Sequence, residues 1–271
     1  MAFGERTGLA PRLGLVVLPG FALLWFASCA CAADTSALLD QSASIERIKT
    51  SIVAVGTVQQ LRNPAFQFLG TGFVVGDGSM VATNAHVLPT ILDNERRESL
   101  VAVIPTGERE PKVLELRKVA VDTAHDIALM KLVAGSLRPL QLGNSGKVRE
   151  GQQFLFTGFP LGAAVGLYAT THRAMISAIA PVAIPTPKAA QLEPETIKRL
   201  AEQRFPVFQL DAVAYPGSSG SPLYDATTLE VIGVINMVFV KGGRESALTD
   251  PSGIAYAIPV QHLKALLGRI Q

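Results

Sequence analysis

Short runs rich in Val, Ile and Thr, separated by Gly, Pro and Asn, follow one another from Ser51 almost to the end of the chain. Runs of this length with turn signals between them are typical of strands in all-β proteins. Six runs lie between Ser51 and Leu132 and six more between Gln153 and Ile258, with a candidate linker at Leu140–Lys147 between the two halves. The pattern therefore predicts an all-β sandwich or a pair of barrels.

Three segments have helical rather than strand spacing. Within residues 33–50, Ser36–Lys49 predicts a short amphipathic helix, and Val260–Ile270 predicts a C-terminal helix that packs against the last barrel. Gln191–Arg204 predicts a helix because its acidic residues come first and its basic residues later, as the helix dipole favours. This helix lies in Pro181–Pro206, a connection longer than two strands need, and it either gates the functional site or is an inert surface insertion.

The first 32 residues have the composition of an export signal. A positively charged start precedes the apolar stretch Leu13–Ala27, and small residues then lead to a cleavage site before Ala33. The alternative of a membrane anchor is weaker, because the stretch Leu13–Ala27 is shorter than the about 20 apolar residues that a spanning helix needs. A third alternative is a lipoprotein signal with Cys29 as the lipidated residue. The sequence thus predicts a signal peptide over residues 1–32 and a periplasmic or secreted mature chain.

Composition excludes several function classes. With 48% hydrophobic and 17% charged residues, the chain is too apolar for a disordered protein. A net charge of +2 without any Lys/Arg-rich run argues against a nucleic-acid partner. Both cysteines, Cys29 and Cys31, lie in the signal, so the mature chain has no disulfide framework. The histidines lack metal-ligand spacing, and His172 and His262 are expected to face solvent, so neither a metal nor another cofactor is expected.

Three segments place a histidine, a carboxylate and a serine at the ends of predicted strands. His86 follows one apolar run, Asp126 opens another, and Ser219 stands in the Gly-rich turn Gly217–Ser221. Each feature alone is common in proteins without catalytic function, because such residues also serve packing, capping and loops. Their order along the chain, His, Asp and then Ser, is that of chymotrypsin-like enzymes and not that of subtilisin or the α/β-hydrolases.

The chemistry explains why these three residue types belong together. A serine hydroxyl is a poor nucleophile at neutral pH, so a base must take its proton during attack. An imidazole titrates near neutrality and can return that proton to the leaving amine. A buried carboxylate orients the imidazole and stabilises its charged form. The backbone N–H groups of Gly217 and Ser219 are candidate donors to the developing oxyanion, since glycine permits the required turn.

The chain resembles the chymotrypsin-fold serine proteases and, within them, the bacterial HtrA/Deg family. The matching segments, in the family's order, are Gly70–Val75, Thr83–Val87, Asp126–Leu129, Gly143–Ser145, Asp211–Ala212, Gly217–Gly220 and Gly253–Pro259. The resemblance implies a protease domain over residues 51–271, made of two six-stranded antiparallel β-barrels at about 51–139 and 148–260 and a short C-terminal helix. It also implies His86 as general base, Asp126 as its orienting acid, Ser219 as nucleophile and an oxyanion hole at Gly217 and Ser219.

Two departures from the family pattern affect regulation. Ser218 precedes the predicted nucleophile, where this family usually has Asn and animal digestive enzymes have Asp. In the digestive enzymes that Asp binds the newly cut N-terminus during zymogen activation. We therefore expect that activation of this chain does not use such an ion pair. Only twelve residues follow Pro259, which leaves no room for the PDZ domain that family members often carry. A protease domain alone is expected, and the oligomeric state stays open.

Substrate preference is predicted from the residues before the nucleophile. Val213 is expected at the base of the pocket for the residue preceding the cleaved bond, unless it only packs in the barrel core. No carboxylate stands there to hold Lys or Arg, so the prediction is a small apolar pocket for Val, Ala or Leu. The other candidate lining residues are Ala214, Ile235, Asn236 and Met237.

The sequence as a whole predicts an exported serine endopeptidase that needs no cofactor and has no membrane span after signal removal. Its expected partners are unfolded or exposed polypeptides, bound as an added β-strand and cut after small aliphatic residues. One alternative is a chaperone-like or binding protein of the same fold with little proteolysis, against which the complete His–Asp–Ser set argues. Another is an esterase, which would more commonly show the nucleophile-elbow motif.

Overall fold

The computed structural model describes residues 41–105, 111–162, 166–182, 205–236 and 253–270. Over these residues the chain forms two closed barrels, each of six antiparallel strands. The prediction of two six-stranded β-barrels is thereby confirmed. The predicted signal peptide, the inserted helix Gln191–Arg204 and Met237 lie outside the described residues.

The first barrel has the closed strand order β1-β2-β3-β6-β5-β4. Its strands, β1 to β6, are Ile52–Val58, Phe66–Val75, Met80–Thr83, Ser99–Ile104, Lys112–Asp122 and Ile127–Leu132. Strand β1 is apolar along almost its whole length because both of its faces are buried. Val53 and Val55 join a cluster made of first-barrel residues, whereas Ile52 and Ala54 join a cluster that also contains second-barrel residues. The strand therefore helps to close one barrel and to join it to the other.

The second barrel has the closed strand order β10-β11-β12-β9-β8-β7. Its strands, β7 to β12, are Gln153–Gly158, Thr170–Val182, Phe205–Asp211, Pro222–Tyr224, Val231–Asn236 and Ile254–Pro259. Its own buried cluster contains large apolar side chains from several strands, among them Phe156, Leu210 and Ile235. The loop between β9 and β10 is thus carried by a well-packed barrel, close to the junction with the first.

Helical structure is described at residues 41–49, before β1, and at Val260–Gly268, after β12. Val260, Leu263 and Leu266 of the C-terminal helix are buried in the cluster between the barrels. The helix contacts β5 and β6 of the first barrel as well as β11 and β12 of the second. It therefore packs on both barrels, and not on the last barrel alone as its sequence suggested. None of the helices in the described ranges is long and apolar enough to cross a membrane.

The segment between β6 and β7 is hydrogen-bonded to both barrels. Leu140 donates its backbone N–H to the carbonyl of Val74 in β2 at 2.8 Å, and Gly143 donates to Val231 in β11 at the same distance. Asn144 accepts the N–H of Gly146 through its side chain and so starts a short 3-10 turn. The predicted linker is therefore an ordered crossover that holds the two barrels in one arrangement.

Candidate active site

His86, Asp126 and Ser219 come together where the two barrels meet. His86 lies in the 3-10 turn after β3, and Asp126 directly precedes β6, the strand that pairs with β3. Ser219 lies in the turn between β9 and β10 of the second barrel. His86 Nδ1 is 2.6 Å from Asp126 Oδ2, and His86 Nε2 is 3.0 Å from Ser219 Oγ. The three side chains form one hydrogen-bonded chain with the imidazole in the middle.

The carboxylate of Asp126 is 5% exposed and is held from several sides. Its Oδ1 accepts the backbone N–H of His86 at 2.8 Å, while its Oδ2 faces the His86 ring. Asp126 has a φ of +52°, a left-handed conformation that costs a non-glycine residue about 1 kcal/mol. Its carbonyl accepts the side-chain N–H of Asn84 at 3.0 Å and the backbone N–H of Ala85 at 3.2 Å. These bonds hold the strained backbone where both carboxylate oxygens reach His86.

Asn236, which the sequence suggested as a pocket wall, binds Asp126. Its Nδ2 donates to Asp126 Oδ2 at 2.6 Å, and both side chains are buried. A buried amide needs a polar partner, and a carboxylate is the strongest acceptor that a protein offers. The signal for this contact is the single polar residue at the end of the apolar strand β11. Sequence reasoning found the residue but missed the group that it faces.

The turn that carries Ser219 depends on two glycines in conformations that other residues rarely adopt. Gly217 has a φ of +99° and Gly220 a φ of +87°. A Cβ at Gly217 would collide with the carbonyl oxygen of Phe159, and one at Gly220 with that of Thr71. Both positions therefore require glycine for space as well as for backbone angle.

The backbone donors of this turn fall into two groups. Ser218, Gly220 and Ser221 donate their N–H groups to backbone carbonyls at 2.9 to 3.0 Å. Within the part of the chain that the structure describes, the N–H groups of Gly217 and Ser219 have no acceptor. The turn thus leaves two backbone donors without a protein acceptor among the described residues, one on either side of Ser218.

Thr71 of β2 connects the first barrel to this turn, a contact that sequence reasoning missed. Its backbone N–H donates to the carbonyl of Ser219 at 2.9 Å, and its Oγ1 donates to the carbonyl of Gly217 at 2.8 Å. The same Oγ1 accepts the N–H of Phe159 at 3.0 Å. A threonine between two glycines in a strand was the available signal, because glycine in a strand marks a close backbone approach.

The predicted pocket residues differ in their surroundings. Val213 is half-buried and lies outside the core clusters, whereas its neighbours Ala212 and Ala214 belong to the second-barrel core. Ile235 is fully buried in that same core, and its backbone pairs with the nucleophile turn through Gly220 and Ser221. Among the described candidates, Val213 is therefore the apolar residue whose side chain lies outside the core clusters.

A cavity of about 420 Å³ adjoins the nucleophile turn on the side of the first barrel. Phe66 and Phe68 of β2 and Leu161 form apolar parts of its wall, and Arg62 lies at its edge. Phe68 lines this cavity and also lies beside Gly217, where an added Cβ would come within 2.9 Å of its ring. The guanidinium of Arg62 is paired with Glu98 at 2.8 Å and leaves the cavity largely apolar.

His172 and His262 do not face solvent, so that expectation is wrong. The ring of His172 stacks on Phe156 with centroids 4.9 Å apart, because β7 and β8 pair these residues directly. The ring of His262 stacks on His125 with centroids 3.8 Å apart. Burial lowers the pKa of His172, and burial together with the charge of His125 lowers the pKa of His262 to about 4. No three metal-ligating side chains in the described residues are grouped to hold an ion.

Comparison with known families agrees with this geometry. The profile of the trypsin-like peptidase domain matches residues 70–234, more than half of the chain, and this range includes His86, Asp126 and Ser219. The chain belongs to the trypsin-like peptidase family. The family resemblance drawn from the sequence motifs is thereby confirmed.

Curated relatives of this trypsin-like peptidase are named as serine endoproteases. Two proteins named "Probable periplasmic serine endoprotease DegP-like" are 29% identical over 192 residues in Halomonas elongata and 27% identical over 198 residues in Pseudomonas fulva. The matches cover 71% and 72% of this chain. They cover 33% of each relative, so the chain spans about a third of the length of the curated relatives it matches.

Solved structures show the same fold. The HtrA-type protease AlgW, solved with a tripeptide, superposes on this trypsin-like peptidase with a TM-score of 0.59 at 21% sequence identity. The superposition covers 85% of this chain and 63% of that chain. At this identity the likeness establishes the two-barrel architecture, and the chemistry has to be argued from the site itself.

Proposed function

We propose that this trypsin-like peptidase is a serine endopeptidase that hydrolyses peptide bonds in unfolded or exposed polypeptides. The observation that carries the proposal is the unbroken hydrogen-bonded chain from Ser219 through His86 to Asp126. Because Asp126 binds the His86 backbone with one oxygen and the ring with the other, the imidazole presents Nε2 to the serine. The names of the curated relatives support the same activity.

In the proposed reaction, Ser219 Oγ attacks the carbonyl carbon of the scissile bond while His86 Nε2 takes the hydroxyl proton. Asp126 stays ionised and stabilises the imidazolium that results. His86 then gives the proton to the leaving amine nitrogen as the C–N bond breaks, which leaves an ester between Ser219 and the acyl half. A water molecule attacks this ester, with His86 as base, and the proton returns to Ser219 as the acid leaves.

The oxyanion that forms at each attack would be stabilised by the backbone N–H groups of Gly217 and Ser219. Their lack of acceptors within the described residues supports this role. Donors of this kind contribute roughly 3 kcal/mol each to the transition state. The bonds from Thr71 to the carbonyls of the same two residues hold the donors in place.

Substrate preference and location are part of the same proposal. Half-buried Val213, flanked by two alanines, suits a small aliphatic residue before the cleaved bond. The apolar cavity at Phe68 and Leu161 would take a residue on the other side of that bond. The signal-like residues 1–32 and the names of the relatives support action in the periplasm.

Digestion of casein and of a peptide library, read by mass spectrometry, tests the proposal. The protein is compared with Ser219→Ala and with the matched control Ser218→Ala, whose hydroxyl is adjacent but outside the hydrogen-bonded chain. We expect cuts after Val, Ala and Leu from the parent protein and from Ser218→Ala, and none from Ser219→Ala. Binding without cleavage would favour a binding protein, and hydrolysis of p-nitrophenyl acetate but not of casein would favour an esterase.

A further inference from the structure

A second aspartate–histidine pair lies directly beside Asp126. His125 donates its backbone N–H to Asp122 Oδ1 at 3.1 Å, and its Nδ1 is 2.8 Å from Asp122 Oδ2. This is the same two-point contact that Asp126 makes with the backbone and ring of His86. The Asp122–Asp126 turn, which joins β5 to β6, is therefore closed by its own side chains up to the residue before Asp126.

The ring of His125 faces the C-terminal helix. It stacks on His262 with centroids 3.8 Å apart and an interplanar angle of 22°. Phe205, the first residue of β9, makes edge-to-face contacts with both rings, with its centroid 4.8 Å from that of His125 and 5.1 Å from that of His262. We refer to His125, His262 and Phe205 as the ring cluster. It joins the turn that ends at Asp126 to the helix and to a strand of the second barrel.

The helix side of this contact is fixed by burial of its apolar face. Val260, Leu263 and Leu266 anchor it in the core between the barrels, on either side of His262 in sequence. The turn, in contrast, ends in a non-glycine residue with a φ of +52°. A strained residue of this kind persists only when its surroundings hold it. The stack on His262 supplies such support from outside the turn.

We propose that His262 is a positioning residue for the catalytic acid. Through its stack on His125, the C-terminal helix holds the Asp122–Asp126 turn in the conformation that presents Asp126 to His86. The inference rests on the proposed endopeptidase function, because it assigns a role in orienting the acid of that reaction. It adds to that function a dependence of catalysis on the C-terminal helix.

The charges around the ring cluster are compatible with this role. Asp122 and His125 face His262 from the turn, and Arg269, just after the helix, interacts with Asp122. The pKa of His262 is lowered to about 4, by burial first and by His125 second, so this ring is neutral at neutral pH. A neutral ring at His262 avoids the repulsion that two protonated imidazoles with centroids 3.8 Å apart would have.

Steady-state kinetics with a chromogenic peptide tests the inference. His262→Leu fills the volume without a ring, His262→Phe keeps a ring, and Lys264→Ala is the control on the exposed side of the same helix. We expect His262→Leu to lower kcat about tenfold with KM unchanged. His262→Phe should recover most of the activity, and Lys264→Ala should equal the parent protein. Melting temperatures show that each variant is folded at the assay temperature.

A double-mutant cycle separates positioning from a general structural effect. The rate of labelling by a fluorophosphonate is measured for His262→Leu with Asp126 intact and in the Asp126→Ala background. If His262 acts through Asp126, His262→Leu should not slow labelling any further in the Asp126→Ala background. Equal losses in both backgrounds, or parent-level activity of His262→Leu, would overturn the inference. If His262→Leu does not fold, His262→Gln is judged by the same criteria. An inactive parent protein would refute the proposed function instead.

Discussion

Asn236 provides a sharp test of how the acid is held, because the sequence predicts it as a pocket wall and its side chain also binds Asp126. Its amide donates to Asp126 Oδ2 at 2.6 Å in a buried environment. A hydrogen bond to a charged group contributes about 1.5–3 kcal/mol. If Asn236→Ala removes this much stabilisation free energy from the transition state, kcat falls roughly 10- to 100-fold, since about 1.4 kcal/mol corresponds to a factor of ten. KM should change little if the amide acts through its bond to the acid.

Kinetic constants of Asn236→Ala are measured beside those of Asn144→Ala. Asn144 also has a hydrogen-bonded side chain, which accepts the N–H of Gly146, but it lies on an exposed turn away from the site. The control should lose some stability and keep its kcat. A kcat of Asn236→Ala within twofold of the parent would refute the argument. A rise in KM alone would instead support the role as a pocket wall.

Three further outcomes follow from the structure. Gly220→Ala should lower the unfolding free energy by the order of 3 kcal/mol, because a Cβ there collides with the Thr71 carbonyl. Gly151→Ala is the control, since Gly151 has a similar φ of +84° but open space around it. It should lower the unfolding free energy less in the same thermal denaturation series. Because the pKa of His262 is about 4 when folded and near 6.5 when unfolded, the unfolded chain binds more protons between these values. Unfolding free energy should therefore fall by the order of 2 kcal/mol as the pH drops from about 6.5 to 4, and His262→Leu should flatten this slope in urea titrations. Val213→Asp should shift library cleavage towards Lys and Arg; unchanged cleavage after Val and Ala would place this side chain outside the pocket.

The barrel architecture was predictable because it depends on local pattern. Strands such as β1 and β11 are continuous apolar runs bounded by turn residues, and both are buried on two faces. The order of His86, Asp126 and Ser219 along the chain was equally visible. Glycines in the nucleophile turn signalled unusual backbone angles, which Gly217 and Gly220 indeed adopt.

Contacts that depend on register or on helix placement could not be read from the sequence. His172 stacks on Phe156 because of the pairing between β7 and β8, and a shift of one residue would turn its side chain to the other face. His262 meets His125 because the C-terminal helix lies across both barrels. The amide of Asn236 reaches an acid 110 positions away, on the other barrel. The partners of His262 and Asn236 are distant in sequence, and nothing in local composition identifies any of these contacts.

In the proposed mechanism, Ser219 is a nucleophile activated by His86. A fluorophosphonate probe reacts covalently with such a serine, and the modified residue is located by mass spectrometry of proteolytic fragments. We predict a single label on Ser219 in the parent protein and in Ser218→Ala, and labelling slowed by orders of magnitude in His86→Ala. Absence of label from the folded parent protein, or a label on another residue, would contradict the account.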